Sequence, residues 1–200
     1  MKDKLSNMEL KCILCDTEKN LKQISEYFIC YLCFEEQKQQ NQKIQKERKI
    51  FDSEINQITD KIFLGNYDGQ RESDKLKHLG ITSILAIGTH LEDLNAGQFE
   101  FLQLDLYDFE NENLLKILKK ALLYIDESKC VYVHCHAGIS RSASVVIAYI
   151  MWKNQIQFEL ARKLVSIKRP SIFPNPGFKT QLLAFEKLLE DNQYNLNFLE

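Results

Sequence analysis

The sequence has few of the residues that interrupt regular structure, and it has no long apolar run. Only 3 prolines and 7 glycines occur among its 200 residues. Nowhere do about 18 uncharged apolar residues follow one another, as a membrane-spanning helix requires. Residues 1–11 are charged and lack the apolar stretch of a signal peptide. We therefore expect a soluble intracellular protein, located in the cytoplasm, with the nucleus as the alternative.

A large excess of either charge is also missing. The 26 Lys and Arg residues are balanced by 28 Asp and Glu residues, for a net charge of -2. Charges so evenly mixed create no strong basic field, so we expect neither a nucleic acid nor a membrane as partner. A chain of this length can form one main domain with a full core, plus a small appendage.

Cysteine is present in a spacing that suggests a metal site near the N-terminus. Cys12 and Cys15 form one Cys-x-x-Cys pair, and Cys30 and Cys33 form a second pair 14 residues later. Four thiolates at this spacing can complete a closed tetrahedral zinc site, which would be structural rather than catalytic. A segment this short lacks a sufficient core, so the metal would supply its folding energy. Two disulfides or four ordinary thiols are the alternatives, and docking of an unidentified protein is the candidate role of the module.

Composition divides the chain into four segments. The predicted zinc module covers 1–35, and a polar linker or helix without Pro or Gly covers 36–57. The main domain covers 58–190, and 191–200 are expected to form a frayed tail. Too few apolar positions occur in the polar segment for a coiled coil.

The main domain has the pattern of an α/β fold. Short apolar runs predict strands at 61–64, 81–87, 99–104 and 131–134. Helical apolar stripes follow at 114–125, 143–151, 158–165 and 178–189. The alternation predicts a central, mostly parallel sheet flanked by helices.

The segment around Cys135 combines features that suit a phosphate site. An apolar strand leads into Cys135, and a short loop then leads into the helix that starts near Arg141. Successive backbone N–H groups at a helix N-terminus attract an anion, and the same surroundings favour a thiolate. Gly138 permits close backbone approach, and the planar guanidinium of Arg141 can hold two phosphate oxygens. Cys135 is therefore predicted to be a nucleophile and Arg141 a phosphate ligand.

Two neighbours of the predicted nucleophile have supporting roles. His134 precedes Cys135 and is expected to orient the loop through its imidazole, while Ser142 can offer its hydroxyl to the sulfur when the sulfur later leaves. Cys130 is five residues away. A protective disulfide with Cys135 is conceivable, but an inert strand thiol is the preferred interpretation, so Cys130 receives no function.

The pattern of His134, Cys135, Gly138, Ser140, Arg141 and Ser142 resembles the signature of dual-specificity phosphatases in the protein tyrosine phosphatase superfamily. The segment Arg169 to Phe178, followed by Gln181-Leu182, is similar to the C-terminal segment of that family. This resemblance implies that Asn175 supports the phosphate loop. It also implies a phosphate-binding loop of His136, Ala137, Gly138, Ile139, Ser140 and Arg141. The similarity extends from about Ile58 to Leu189.

The resemblance further implies a general acid on the loop after the preceding strand. Asp108 fits this position best, and Asp105 is the second candidate. The implied reaction is attack by Cys135 on phosphorus, protonation of the leaving oxygen by Asp108, and hydrolysis of a phosphocysteine intermediate. No cofactor is needed for this chemistry.

Phosphorylated proteins are the expected substrates, as phosphotyrosine and phosphoserine or phosphothreonine. The variable loop residues His136, Ala137 and Ile139 lack the lysines with which lipid phosphatases of the superfamily hold inositol phosphates. A phosphoinositide or RNA 5' phosphatase with the same loop remains an alternative. A phosphoprotein-binding adaptor without turnover is another, although retention of both Cys135 and Arg141 argues against it.

Overall fold

The computed structural model describes the backbone of residues 21–24 and 27–30 and the whole of residues 55–199. The chain divides into two compact units, Met1–Ile50 and Phe51–Glu200. None of the helices in the described ranges combines the length and the apolar character that crossing a bilayer requires.

The described part of the first unit is a β-hairpin. Strand β1 (Leu21–Ile24) pairs antiparallel with β2 (Tyr27–Cys30), and Leu21 lies opposite Cys30. The backbone of Cys30 therefore ends the second strand. The other three predicted zinc ligands, Cys12, Cys15 and Cys33, lie outside the described residues, as does most of the predicted linker at 36–57.

The second unit is built on a five-stranded sheet. Its strands are β3 (Asn56–Gln57), β4 (Ile62–Asn66), β5 (Ser83–Ile87), β6 (Glu100–Leu104) and β7 (Val131–Cys135). Their spatial order is β3-β4-β7-β5-β6. All neighbours are parallel except β3 and β4, which are antiparallel. The predicted mostly parallel sheet is confirmed, with an antiparallel edge strand that is too short to leave a sequence pattern.

Strand β7 lies in the centre of the sheet, and both its faces are covered. Every residue from Val131 to Cys135 is buried, the continuous apolar pattern that a central parallel strand requires. Its neighbours β4 and β5 are also buried throughout. The carboxyl end of β7 is therefore fixed on both sides by hydrogen-bonded strands, and Cys135 is its last residue.

Five α-helices within residues 55–199 surround the sheet. They are α1 (Ser73–His78), α2 (Leu115–Glu127), α3 (Arg141–Asn154), α4 (Phe158–Lys168) and α5 (Pro176–Asp191). Helices α2 to α5 pack with Leu64, Leu85 and Val133 in the larger hydrophobic cluster. Helix α1 contributes Leu76 to the smaller cluster, which contains Phe63 and Tyr132. Because Phe63 and Leu64 are consecutive in one strand, the two clusters lie on opposite faces of the sheet.

Two parts of the second unit differ from the sequence-based expectation. The short helix α1 and the 3-10 turn Tyr67–Arg71 are not predicted, because six-residue and five-residue helices show too little periodicity. The expectation of a frayed tail is wrong for the segment after α5. Leu196 and Leu199 are buried in the larger cluster, and Trp152 donates its indole N–H to the carbonyl of Tyr194 at 2.9 Å. Burial of these apolar side chains holds the tail in place.

Candidate active site

The Cys135 sulfur lies at the bottom of the loop that joins β7 to α3. Cys135 as a whole is only 1% exposed. The backbone N–H of Gly138 and the hydroxyl of Ser142 both donate to Sγ, each at 3.2 Å. Both donors are directed at the sulfur, where they can stabilise negative charge that develops on it during a reaction. The structure thus brings together the predicted nucleophile and the predicted hydroxyl partner.

Loop residues 136–140, here called the phosphate loop, are fixed from behind by Arg169. This arginine is 1% exposed, and its Nε donates to the carbonyl of Gly138 at 2.9 Å. Its Nη2 lies 3.5 Å from the carbonyl of Ala137, and its Nη1 donates to Oδ1 of Asn56 at 2.5 Å. In a trans peptide the C=O and the following N–H point in opposite directions. Holding these carbonyls on Arg169 therefore turns the N–H groups of Gly138 and Ile139 toward the sulfur side.

Gly138 is required by both its conformation and its surroundings. Its φ of +68° lies in the left-handed region, which residues with a Cβ rarely adopt. A Cβ there would also overlap the backbone carbonyl of Gly65 on β4, and it would lie 2.9 Å from Nη2 of Arg169. The phosphate loop can therefore lie directly on the neighbouring strand only because this residue is glycine.

Arg141 begins helix α3, and its side chain is 15% exposed. Its Nη1 approaches the carbonyl of Leu106 at 3.5 Å, while its Nε has no hydrogen-bond partner among residues 55–199. A Cβ on Gly88, just after β5, would lie 2.6 Å from Nη1. The guanidinium thus lies against a glycine backbone with a buried donor left over, which suits an incoming phosphate oxygen.

Asp108 faces the phosphate loop, and Asp105 does not. Oδ1 of Asp108 accepts hydrogen bonds from the Ser140 hydroxyl at 2.6 Å and from Nδ2 of Asn175 at 2.8 Å. Oδ2 lies 3.8 Å from Nε of Arg141. Asp105 instead accepts from the side-chain amide of Gln103 at 3.0 Å and is exposed. Asp108 is therefore the carboxyl group that the fold brings to the site.

Ser140 and Asn175 connect the acidic residue to the phosphate loop. Besides donating to Asp108, the Ser140 hydroxyl accepts from the backbone N–H of Asn175 at 3.1 Å. The side chain of Asn175 also caps α5, because its Oδ1 accepts from the N–H of Phe178 at 2.9 Å. Asn175, the residue predicted to support the phosphate loop, contacts that loop through its backbone N–H. The hydroxyl of Ser140 bonds Asp108, so Ser140, which is predicted to bind phosphate, would do so through its backbone.

Residues 105–114, here called the acid loop, are held by the first turns of α5. Gln181 accepts from the N–H of Leu114 at 2.8 Å and donates to the carbonyl of Glu112 at 2.7 Å. Gly177 packs so closely that a Cβ would overlap the backbone carbonyl of Glu110. Helix α5 thus fixes the acid loop by two hydrogen bonds of one side chain and by one close backbone contact.

His134 is buried completely beneath the phosphate loop. Its Nδ1 lies 3.3 Å from the carbonyl of Cys135, and its Nε2 lies 3.0 Å from the side-chain amide nitrogen of Gln70. An amide nitrogen can only donate, so Nε2 accepts and Nδ1 carries the proton. Burial lowers the pKa of His134 to about 4, despite the hydrogen bond to Cys135 that favours protonation. The imidazole is therefore neutral near pH 7, and it stacks on Tyr132 with ring centroids 5.5 Å apart.

Cys130 is separated from the site by the sheet. It is buried in the smaller cluster with Tyr132, whereas Cys135 belongs to the larger one. Burial also raises the pKa of the Cys130 thiol. Five residues of extended chain place the two Cα atoms roughly 16 Å apart, well beyond the reach of a disulfide. The preferred interpretation of Cys130 as an inert thiol fits this position, and a direct disulfide with Cys135 does not.

Several residues of the site were given no role by sequence reasoning. The sequence pattern includes Arg169, Gly177 and Gln181 only as part of the C-terminal segment, and it does not indicate Gly88 or Gln70. Their contacts are with backbone atoms or buried groups from distant parts of the chain, which no local pattern reports. The only available signal was the position of Gly88 directly after a predicted strand.

A buried cysteine at a strand-to-helix loop, an arginine at the first turn of that helix and a carboxylate on a facing loop are the arrangement of cysteine-dependent phosphatases. Residues 62–188 match the family model described as dual specificity phosphatase, catalytic domain. The chain therefore belongs to the dual specificity phosphatase family, and the resemblance seen in its sequence is confirmed.

Named relatives agree with this assignment. A probable dual specificity protein phosphatase of Dictyostelium discoideum is 36% identical over 146 residues, which cover 70% of this chain and 37% of the relative. Human dual specificity protein phosphatase 6 is 38% identical over 134 residues, covering 64% of this chain and 35% of the relative. The chain thus spans about a third of the length of these two relatives.

Solved structures share the fold. The crystal structure of a human tyrosine phosphatase-like serine/threonine/tyrosine-interacting protein has a TM-score of 0.67 and 33% identity, and the match covers 70% of this chain and 99% of that chain. A mouse putative dual specificity phosphatase complexed with zinc tungstate has a TM-score of 0.66 and 26% identity, with 72% of this chain and 92% of that chain covered.

Proposed function

We propose that this chain is a protein phosphatase that hydrolyses phosphotyrosine and phosphoserine or phosphothreonine through a phosphocysteine intermediate. The observation that carries the proposal is the arrangement around the phosphate loop. The Cys135 sulfur accepts two hydrogen bonds there, Ser140 of the same loop bonds the Asp108 carboxyl group, and that carboxyl group lies 3.8 Å from the Arg141 guanidinium. Nucleophile, anion ligand and proton donor are the three groups that phosphoryl transfer to sulfur requires.

In the first half of the reaction, the Cys135 thiolate attacks phosphorus as the bond to the leaving oxygen breaks. Asp108, protonated at this stage, gives its proton to that oxygen, so the dephosphorylated residue departs as a neutral hydroxyl. Arg141 and the N–H groups of the phosphate loop stabilise the charge on the equatorial oxygens. Asp108 is held near this path by Ser140 and Asn175.

In the second half, water attacks the phosphocysteine and Asp108, now ionised, accepts its proton. The P–S bond breaks and inorganic phosphate forms. The Ser142 hydroxyl, 3.2 Å from Sγ, stabilises the departing thiolate by hydrogen bonding. His134 stays neutral below the loop and acts through position, since its pKa of about 4 means that the ring does not take up a second proton near neutral pH. Every charge that develops has a partner within this chain, so no step needs a cofactor.

The deciding experiment measures kcat/KM for p-nitrophenyl phosphate and for phosphotyrosine and phosphothreonine peptides, with and without a chelator. We expect chelator-independent turnover that Cys135→Ser abolishes. Asp108→Asn should lower turnover of the phosphopeptides about 100-fold, the usual value of a general acid, and that of p-nitrophenyl phosphate much less. Asp105→Asn is the matched control, because it removes an exposed carboxylate three residues away, and it should change turnover less than about twofold.

Two other outcomes would replace this proposal. Faster turnover of phosphoinositides or RNA 5' phosphates than of phosphopeptides would favour the alternative phosphatase with the same loop. Tight phosphopeptide binding without any turnover would favour an adaptor. The adaptor has some support, because one structural relative is named tyrosine phosphatase-like and an interacting protein.

We also propose that Cys12, Cys15, Cys30 and Cys33 hold one structural zinc ion. The support is the Cys-x-x-Cys spacing, together with the β-hairpin that lies between the two pairs and ends at Cys30. Metal analysis of the full chain should find about one zinc per chain. Cys15→Ser should lose it and Cys130→Ser should retain it. Equal zinc content in both variants would contradict the assignment.

We also propose a cellular location and partners for the protein. Cysteines spaced for metal rather than for disulfides fit a reducing compartment, so we place the protein in the cytoplasm, with the nucleus as the alternative. Phosphorylated proteins are its proposed partners, and the N-terminal module is proposed to dock an additional protein. Fluorescent tagging of the full chain tests the location, and secretion or membrane localisation would contradict it.

A further inference from the structure

Four exposed apolar side chains border the phosphate loop. They are Tyr107, Phe109, Ile139 and Phe173, which are 51%, 63%, 38% and 63% exposed. We call them the apolar rim. Three of them are among the largest side chains of the domain, yet they contribute little to its core. Clustered exposed apolar residues are usually interaction surfaces.

The rim residues are held together through the catalytic groups. Tyr107 and Phe109 flank Asp108 in the chain, and their rings stack with centroids 5.9 Å apart and planes at 15°. Ile139 precedes Ser140, whose hydroxyl bonds Asp108. The N–H of Phe173 donates to the carbonyl of Ile139 at 2.7 Å. All four residues therefore lie on the segments that surround the phosphate position, where the chain next to a phosphorylated residue must pass.

Charge around the rim excludes a second phosphate. The three bordering segments, 105–113, 136–140 and 171–175, contain no Lys or Arg. They do contain four carboxylates, which are Asp105, Asp108, Glu110 and Glu112; of these, Asp108 lies against Arg141 and Glu112 is paired with Lys116. A second phosphate or an acidic neighbour would therefore find no cation in these three segments and would meet negative charge such as that of Glu110, and a polyphosphorylated inositol ring would find no cation in them either.

We propose that the apolar rim selects phosphoprotein segments in which a large apolar side chain lies next to a single phosphorylated residue. The inference rests on the proposed phosphatase function and adds its substrate class. Binding covers Phe109 and Phe173 with the apolar neighbour, and removal of that surface from water provides the selectivity. The same rim disfavours segments with acidic neighbours or two adjacent phosphates.

The test compares two phosphotyrosine peptides that differ only in the residues beside the phosphotyrosine, Leu and Phe in one and Ser and Asp in the other. The ratio of their kcat/KM values is measured for the wild-type chain and for the double variant Phe109→Ser/Phe173→Ser. The control variant is Leu123→Ser on α2, which removes an apolar side chain of 39% exposure away from the rim. Turnover of p-nitrophenyl phosphate by each variant provides its internal reference.

We expect the wild-type chain and Leu123→Ser to prefer the apolar peptide about tenfold, which corresponds to about 1.4 kcal/mol. The double variant should lose most of this preference relative to its own p-nitrophenyl phosphate turnover. Equal kcat/KM values for both peptides with the wild-type chain, or an unchanged preference in the double variant, would overturn the proposal. Faster turnover of a doubly phosphorylated peptide or of phosphoinositide vesicles would do so as well.

Failure of the proposed function would be recognised separately. If the wild-type chain hydrolyses neither p-nitrophenyl phosphate nor any peptide, the same peptide pair is compared by fluorescence anisotropy. Tighter binding of the apolar peptide that the double variant loses would support the rim without catalysis. Equal binding of both peptides would overturn it.

Discussion

The phosphate loop and the acid loop provide the two halves of the same site, but they are stabilised in different ways. The phosphate loop follows the central strand and lies on Gly65, with its carbonyls held by the buried Arg169. In the acid loop, residues 107–111 are all exposed, and the loop is held mainly by the N-terminal turns of α5. The nucleophile is thus built into the core, whereas the proton donor is attached at the surface by a few contacts.

This difference predicts two kinds of failure. Changes beneath the phosphate loop should affect every substrate equally, because attack by sulfur is common to all of them. Changes around the acid loop should depend on the leaving group, because only poor leaving groups need a proton in the transition state. Proteins commonly place adjustable catalytic groups on such surface loops and fixed ones on rigid elements.

Arg141→Lys should have the largest effect of the following changes. Lysine keeps the charge but loses the planar fork that can hold two phosphate oxygens. We expect kcat/KM to fall about 1000-fold for good and poor leaving groups alike. Steady-state kinetics with p-nitrophenyl phosphate and phenyl phosphate check this. A loss of less than tenfold would show that the guanidinium geometry is not needed.

Arg169→Met should cause the second largest loss of activity, although Arg169 touches no substrate. Without its donors, the carbonyls of Ala137 and Gly138 lose their partners and the loop N–H groups lose their direction. We expect about a 100-fold loss of kcat/KM, equal for both leaving groups. The oxyanion vanadate, a phosphate mimic, should also bind more weakly. Arg162→Met, which removes an exposed arginine on α4 paired with Glu159, is the control and should leave both measurements unchanged.

Gly177→Ala should show the leaving-group dependence. The added methyl group overlaps the backbone of Glu110 and forces the acid loop away from α5. We expect phenyl phosphate turnover to fall about tenfold or more, while p-nitrophenyl phosphate turnover changes much less. Gly97→Ala is a suitable control because a Cβ there meets no atom within 4 Å, although its positive φ adds local strain. Equal losses for both substrates would contradict a positioning role.

Gln181→Ala tests the same positioning of the acid loop by α5 without adding a side-chain atom. It removes the hydrogen bonds to Leu114 and Glu112. We expect a smaller loss than for Gly177→Ala, again larger for phenyl phosphate. Combined with Asp108→Asn, it should cause almost no further loss, since its effect acts through that carboxyl group. Additive losses in the double variant would instead indicate a general structural defect.

Substitution of His134 by Gln should have the smallest effect on activity of these changes, and it should clearly alter how the stability depends on pH. The pKa of His134 is about 4 in the folded chain and 6.5 when exposed, so the unfolded chain binds more protons between these values. Stability should therefore increase as pH rises from 4 to 6.5, by about 3 kcal/mol from this group. Urea unfolding at pH 4.5 and pH 7 should show a flatter dependence for His134→Gln. If the free energy of unfolding changes equally between pH 4.5 and pH 7 in both proteins, His134 is not the source of the pH dependence.

Much of the fold could be predicted because its signals are local. The buried runs of β5 and β7 and the stripe of α2 predicted elements to within two residues. The antiparallel edge β3 and the packed tail could not be predicted. The pairing of β3 with β4 and the burial of Leu196 depend on distant partners, which a short window of sequence does not contain.

The sequence by itself determined the reactive groups of this protein. Cys135, Gly138 and Arg141 are close in the chain, so the strand-to-helix geometry alone brings them to one phosphate. Tertiary structure alone decided that Asp108 rather than Asp105 faces them, that Arg169 holds the loop from behind, and that Cys130 is isolated. These relations join residues 31 or more positions apart or on opposite faces of one sheet, and only packing of the complete core brings such groups together or separates them.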